Sequence, residues 1–106
     1  MITEVVHLDR DNTIDLQLKA DGVVVDLSGT TKMELAVGST TISSTTSPSA
    51  FDWSNHGSGT PAADRKLILS LGDESLTVGK YWATLFVYDL LNTDGIAWDT
   101  FRLQVK

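Results

Sequence analysis

The chain has 106 residues, 42% of them hydrophobic, a formal net charge of −6 at pH 7 and no cysteine. That length suits one domain with a real core, and the missing cysteine excludes disulfides, thiolate metal ligands and a Cys nucleophile while fitting synthesis in a reducing cytoplasm. The acidic balance and scattered basic residues argue against nucleic acid. No apolar run approaches the roughly 20 residues of a membrane helix, and Met1 to Asp9 has neither the basic nor the apolar part of a signal peptide. No membrane association is therefore expected.

Along the chain the recurring pattern is period-2 alternation broken by Gly-containing turns. Ile2 to Leu8 reads as a first strand. Ile14, Leu16 and Leu18 alternate with Asp15, Gln17 and Lys19, and Val23, Val25 and Leu27 follow. A one-residue slip flips a strand to the wrong face, so parity tests each turn. Asp21-Gly22 as a two-residue turn sets Leu18 opposite Val25 and Leu16 opposite Leu27, apolar on apolar. Gly38-Ser39 as a second tight turn sets Val37 opposite Thr40 and Leu35 opposite Ile42.

Residues Thr40 to Ala63 are rich in Ser, Thr and Gly, with Pro48 and Pro61. This stretch is expected to be a loop excursion, within which Ala50 to Trp53 docks as a short strand or plug. Leu67, Leu69 and Leu71 form another strand. Asp73 to Leu76 is the one expected helical turn, with its carboxylates at the start of the turn.

Gly79 to Lys106 reads as a long hairpin apolar on both faces. Asn92-Thr93-Asp94-Gly95 suits a type I turn closed by Gly95 in the left-handed region. With Asn92 paired to Ile96, Val87 meets Phe101, Leu85 meets Leu103 and Ala83 meets Val105 on one face. On the other, Leu90 meets Trp98, Tyr88 meets Thr100 and Phe86 meets Arg102. The cost is Asp89 opposite Asp99. Hairpins of this kind, with so little helix, predict an all-β antiparallel sandwich over residues 1–106 as one domain.

Chemistry-bearing residues are few. Asp9, Asp11, Asn12 and Asp15 cluster calcium-type oxygens, but Ile14 stands where an EF-hand loop needs glycine, and a solvated turn accounts for them better. His7 and His56 are the two histidines, and His56 with Asp52 and Ser54 lies in a Ser/Gly-rich loop that cannot hold a catalytic triad rigid. The expectation is a non-enzymatic protein without metal or cofactor. Tyr81, at the start of the penultimate strand, suits a tyrosine corner, its hydroxyl bonding back to backbone. Trp82, Phe86, Tyr88 and Trp98, with Arg102 at their rim, admit three readings: burial under a second layer or the 40–63 loop, an exposed assembly interface, or a sugar-stacking platform. The interface reading is the one adopted.

Gly22-Val23-Val24-Val25-Asp26-Leu27-Ser28-Gly29-Thr30-Thr31-Lys32-Met33-Glu34-Leu35 resembles the immunoglobulin-like N-terminal domain of phage baseplate upper proteins and related small phage tail and virion proteins. In that family a short hairpin ends in similar Asp-Leu-Thr-Gly residues and leads into an alternating strand. Val78-Gly79-Lys80-Tyr81, continued by Leu85-Phe86-Val87-Tyr88-Asp89 and Gly95, is similar to the family's Gly-x-Tyr strand, its turn and its last strand. The resemblance covers most of the chain outside Thr40 to Ala63 and brings no catalytic residues. It implies a structural component of a phage or prophage particle, with tail or baseplate favoured over capsid. Such a protein would be made in the bacterial host cytoplasm and held in the virion by contacts with other subunits or with its own copies. The alternative is a carbohydrate-binding or adhesin-like module using exposed aromatics.

Overall fold

The computed structural model describes residues 3–25, 27–54, 61 and 65–106. The strands are β1 Thr3–Val6, β2 Ile14–Leu16, β3 Lys19–Ala20, β4 Val23–Val24, β5 Thr30–Val37, β6 Thr40–Ser43, β7 Phe51–Asp52, β8 Leu67–Leu69, β9 Gly79–Asp89 and β10 Ile96–Val105. Among the described residues a five-stranded sheet runs β1-β10-β9-β5-β6, a three-stranded sheet runs β2-β8-β7, and β3-β4 form a separate hairpin. Pairing is antiparallel except for β1 beside β10. The chain is therefore all-β, as its alternation predicts.

The two short hairpins have the predicted registers. Ala20 pairs with Val23 around Asp21 (φ 53°) and Gly22 (φ 81°), a type I′ geometry. Val25 N–H donates to the Leu18 carbonyl at 2.8 Å, so those two residues meet as expected. Leu16, by contrast, pairs with Leu67 of β8 instead of facing Leu27. Val37 pairs with Thr40 and Leu35 with Ile42 around Gly38, whose φ of 59° suits a residue without Cβ.

Every second residue of β5 and β9 points inward. Met33, Leu35 and Val37 meet Ala83, Leu85 and Val87, and all six are buried. Phe101, Leu103 and Val105 of β10 and Val6 of β1 continue this inner face. Ile14, Phe51, Leu67 and Leu69 from the smaller sheet join the same core cluster. Each fully buried aliphatic side chain stabilises the fold by about 1.5–3 kcal/mol relative to exposure.

The 40–63 stretch opens with Thr40–Ser43 extending the large sheet, as the Gly38-Ser39 turn requires, forms a single 3-10 turn at Pro48–Ala50, and pairs Phe51–Asp52 with β8, the short docked strand expected there. Phe51 and Ala50 are buried, so the short strand docks as a plug of core. The 73–76 stretch forms no helical turn. Glu74 N–H donates to the Leu71 carbonyl at 3.2 Å and Leu76 N–H to the Glu74 carbonyl at 2.8 Å, a pair of tight bends. Gly72 is pinned there because Asp9 N–H donates to its carbonyl at 2.8 Å and the Arg10 backbone oxygen occupies the space a Cβ would need.

The β9–β10 hairpin forms, but its register is displaced from that predicted, by four residues at the root and five toward the tip. Phe101 pairs with Ala83, Arg102 with Trp82 and Leu103 with Tyr81, while Ile96 pairs with Val87. A bulge between Ala97 and Asp99 reconciles the two halves. The Asn92–Gly95 turn is present, with Gly95 N–H bonded to the Asn92 carbonyl at 3.2 Å and Gly95 at φ 82°. It lies inside a longer connection that begins at Leu90. Asp89 consequently faces Thr30 and Asp99 faces Leu85, so the like-charge pair does not arise.

Candidate interaction surface

The outer face of the five-stranded sheet is built from the residues that alternate with the core. Cross-strand pairing lines up Thr3, Arg102 and Trp82 in one row and Thr100, Thr84, Ala36 and Thr41 in the next. Ala97, Phe86, Glu34 and Ser43 make a third row, and Tyr88 beside Lys32 a fourth. Trp82 is 49% exposed and Phe86, Tyr88 and Arg102 are half-buried. The aromatic positions thus occupy an outer face and do not sit in the core.

Polar contacts fix these rings. The Arg102 guanidinium lies 4.8 Å from the centre of the Trp82 ring and Lys32 Nζ 4.2 Å from that of Tyr88. The Tyr88 hydroxyl donates to Glu34 Oε1. That bond, reinforced by desolvation and the nearby carboxylate charges of Glu34 and Asp94, raises the Tyr88 pKa above the ordinary phenol value. Lys32 also lies 3.8 Å from Glu34, closing a Lys–Tyr–Glu cluster. The Thr84 and Thr100 hydroxyls meet across the strands at 3.1 Å. The face therefore combines partly exposed aromatic rings with ordered charge and hydroxyl groups.

Trp98 is not on that face. As the extra residue of the β10 bulge it turns toward the core side, where it packs half-buried against the core cluster. Its neighbours there are Val25, Leu27, Val87 and Ile96, around an apolar cleft of ≈ 300 Å³. The sequence carries a signal for this: Ile96 and Trp98 are apolar at even positions, whereas Phe101, Leu103 and Val105 are apolar at odd ones. Alternation can change phase only through a bulge. Leu90, expected opposite Trp98, instead begins the connecting loop and lies at the cleft mouth.

Tyr81 sits at the root of the hairpin. Its hydroxyl donates to the Thr77 carbonyl at 2.8 Å, and its ring lies against Gly38 and Gly79. This is the back-bond anticipated for a tyrosine corner.

The other candidate groups form no catalytic or metal arrangement among the described residues. Asn12 receives His7 N–H at 3.1 Å and donates to the His7 and Arg10 carbonyls at 2.9 and 2.7 Å, so its side chain ties the β1–β2 turn. No three His, Cys, Asp or Glu side chains converge among the described residues. Asp15 pairs with Lys66 at 3.3 Å. Asp52 accepts from Ser54 Oγ at 2.6 Å and Ser54 N–H at 3.0 Å, bonds that lower its pKa and cap the local turn. His56 lies outside the described residues.

No family model matches this chain, and no curated protein or solved structure matches it either.

Proposed function

We propose that this chain is an immunoglobulin-like sandwich module that acts as a non-enzymatic structural component of a phage or prophage particle, in the tail or baseplate. It docks onto neighbouring subunits through protein–protein contacts. The particle context rests on the resemblance of Gly22–Leu35 and Val78–Tyr81 to the domain of baseplate upper proteins. The assembly mechanism rests on one observation: Trp82, Phe86, Tyr88 and Arg102 share the outer face of a sheet whose inner face already fills the core. Aromatic residues and arginine are enriched at protein interfaces, and about 800 Å² per partner makes a stable one. A sugar platform is less well supported, because Arg102 and Lys32 already occupy a face of the Trp82 and Tyr88 rings.

Two measurements test this reading. Antibody labelling of particles from the host that carries the gene should find the chain on tails or baseplates; particles free of it would sink the particle context. Light scattering coupled to size exclusion, with purified tail components added, should show a complex that Trp82→Ala and Arg102→Glu weaken without loss of fold. A complex indifferent to both changes would remove the outer face from the mechanism.

A further inference from the structure

The end of the molecule at the β9–β10 connection carries a second surface, separate from the outer sheet face. Leu90 and Leu91 are 84% and 94% exposed, side by side in that connection. They form the mouth of the apolar cleft whose floor includes Val25, Leu27, Ile96 and Trp98. Two adjacent leucines in water forgo the stabilisation that burial brings, and beside the cleft they make an apolar surface open to contact.

The loop that presents them is held by polar bonds. Asp89 Oδ1 accepts from Leu91 N–H at 2.9 Å, Asn92 N–H at 2.7 Å and Asn92 Nδ2 at 3.0 Å. Asp89 N–H donates to the Asn92 carbonyl at 3.4 Å, and the Asn92–Gly95 turn closes the far side. A loop already fixed in one shape loses little conformational freedom on binding.

Charge narrows the occupant. Asp89 is the one charged residue lining the cleft among its described residues. Among the described residues its Oδ2 accepts from Asn92 Nδ2 at 3.2 Å, and a carboxylate oxygen has room for another donor. The hydrogen bonds that Asn92 and Leu91 give to its carboxylate hold it ionised well into the acid range. Asp94 stands exposed in the same loop, and the chain as a whole carries a net charge of −6. A second copy docked here would bring the same acidic rim against this one, which like-charge repulsion opposes.

We propose that this cleft is a docking site for a segment of a different chain that places a bulky aliphatic side chain beside a lysine or arginine. The aliphatic group fills the space between Trp98, Val25 and the two leucines, and the cation meets Asp89 Oδ2. At ≈ 300 Å³ the cleft is at the small end of ligand sites, a size for one or two side chains.

The test is a nuclear magnetic resonance titration of the isotope-labelled full chain with two capped peptides, Lys-Leu-Leu-Lys and Glu-Leu-Leu-Glu. The lysine peptide should shift the Trp98 indole signal and the Val25 and Ile96 amides, and should bind about tenfold more tightly than the glutamate peptide, the worth of one charge-assisted bond. The double change Leu90→Ser, Leu91→Ser should abolish the shifts while leaving the remaining spectrum in place. Asp89→Asn keeps an acceptor for the loop bonds and should erase the preference between the peptides. Trp82→Ala should leave the titration unchanged, which separates failure here from failure of the outer-face contact. Equal binding of both peptides, shifts confined to Trp82 and Phe86, or no shift at saturating peptide would overturn the proposal. So would peptide-free, concentration-dependent shifts at Trp98, which would identify a second copy as the occupant.

Discussion

The two ends of the β9–β10 hairpin use the same alternation to opposite effect. At the root, Ala83, Leu103 and Val105 are buried, and Tyr81 is locked by its bond to Thr77 and by packing on Gly38. At the tip, Ile96 and Trp98 are only half-buried and Leu90 and Leu91 project into water. The tip is nevertheless ordered, because Asp89 gathers three N–H donors from the loop. Order at the root comes from apolar burial that contributes to stability. Order at the tip comes from short-range polar bonds that leave apolar surface unspent. Exposed leucines on a fixed loop are thus a property of the folded state and not a sign of looseness.

Substitutions that probe the root should be far more costly than those at the tip. Leu103→Ala removes a side chain with no exposure and should destabilise by about 2–5 kcal/mol in urea unfolding. Gly38→Ala puts a Cβ 2.9 Å from Tyr81 Cδ1 at a φ of 59° and should cost about 1–3 kcal/mol. If that variant is as stable as the parent, the root is less tightly packed than described. Tyr81→Phe loses the bond to Thr77 alone, about 0.5–1.5 kcal/mol by the same measurement. At the tip, Leu91→Ser should change stability by less than about 0.5 kcal/mol, while reducing binding of an apolar fluorescent dye; a large destabilisation would show that Leu91 belongs to the core.

The smallest effect is set by pH. Folding lowers the Asp89 pKa, so its contribution is full above the unfolded carboxylate value of about 3.9 and disappears as pH falls through the lower folded value. Unfolding midpoints of the parent and Asp89→Ala should therefore converge at strongly acidic pH and separate toward neutrality. Midpoints that stay apart in strong acid would assign the aspartate's effect to packing.

Much of the fold is legible in the sequence because one-residue slips are costly. The Asp21-Gly22 and Gly38-Ser39 registers follow from that test alone. The long hairpin exposes its limit: the observed register sets Ala83 against Phe101 and Val87 against Ile96 but Leu85 against Asp99, a pairing that apolar matching alone rejects and that the bulge at Trp98 makes possible. The longer connection that goes with this register is clasped by Asp89 on Leu91 and Asn92, a side-chain interaction that alternation does not encode. Ala50 to Trp53 is legible as a short docked strand or plug, but its pairing with β8 is not, because two paired residues are too few to alternate. The parallel contact of β1 with β10 has no turn to announce it. The outer aromatic face is legible from the even positions 82, 86 and 88. The cleft is not, because it joins Val25 and Leu27 to a hairpin tip and a bulge that are distant in sequence.

The parallel pairing of β1 with β10 also bears on how the chain reaches its native state. Thr3 pairs with Arg102 and Val6 with Val105, contacts that span almost the whole chain, whereas β9 and β10 are joined by a short connection. Closing so long a loop is entropically expensive, so local hairpins form first and β1 arrives late. Until it does, the outer edge of β10 offers unpaired backbone donors and acceptors, the template on which strands of other molecules add. The interval between hairpin closure and β1 docking is thus the period when concentrated chains exchange strands, and the rate of that last step sets how much nascent protein escapes it.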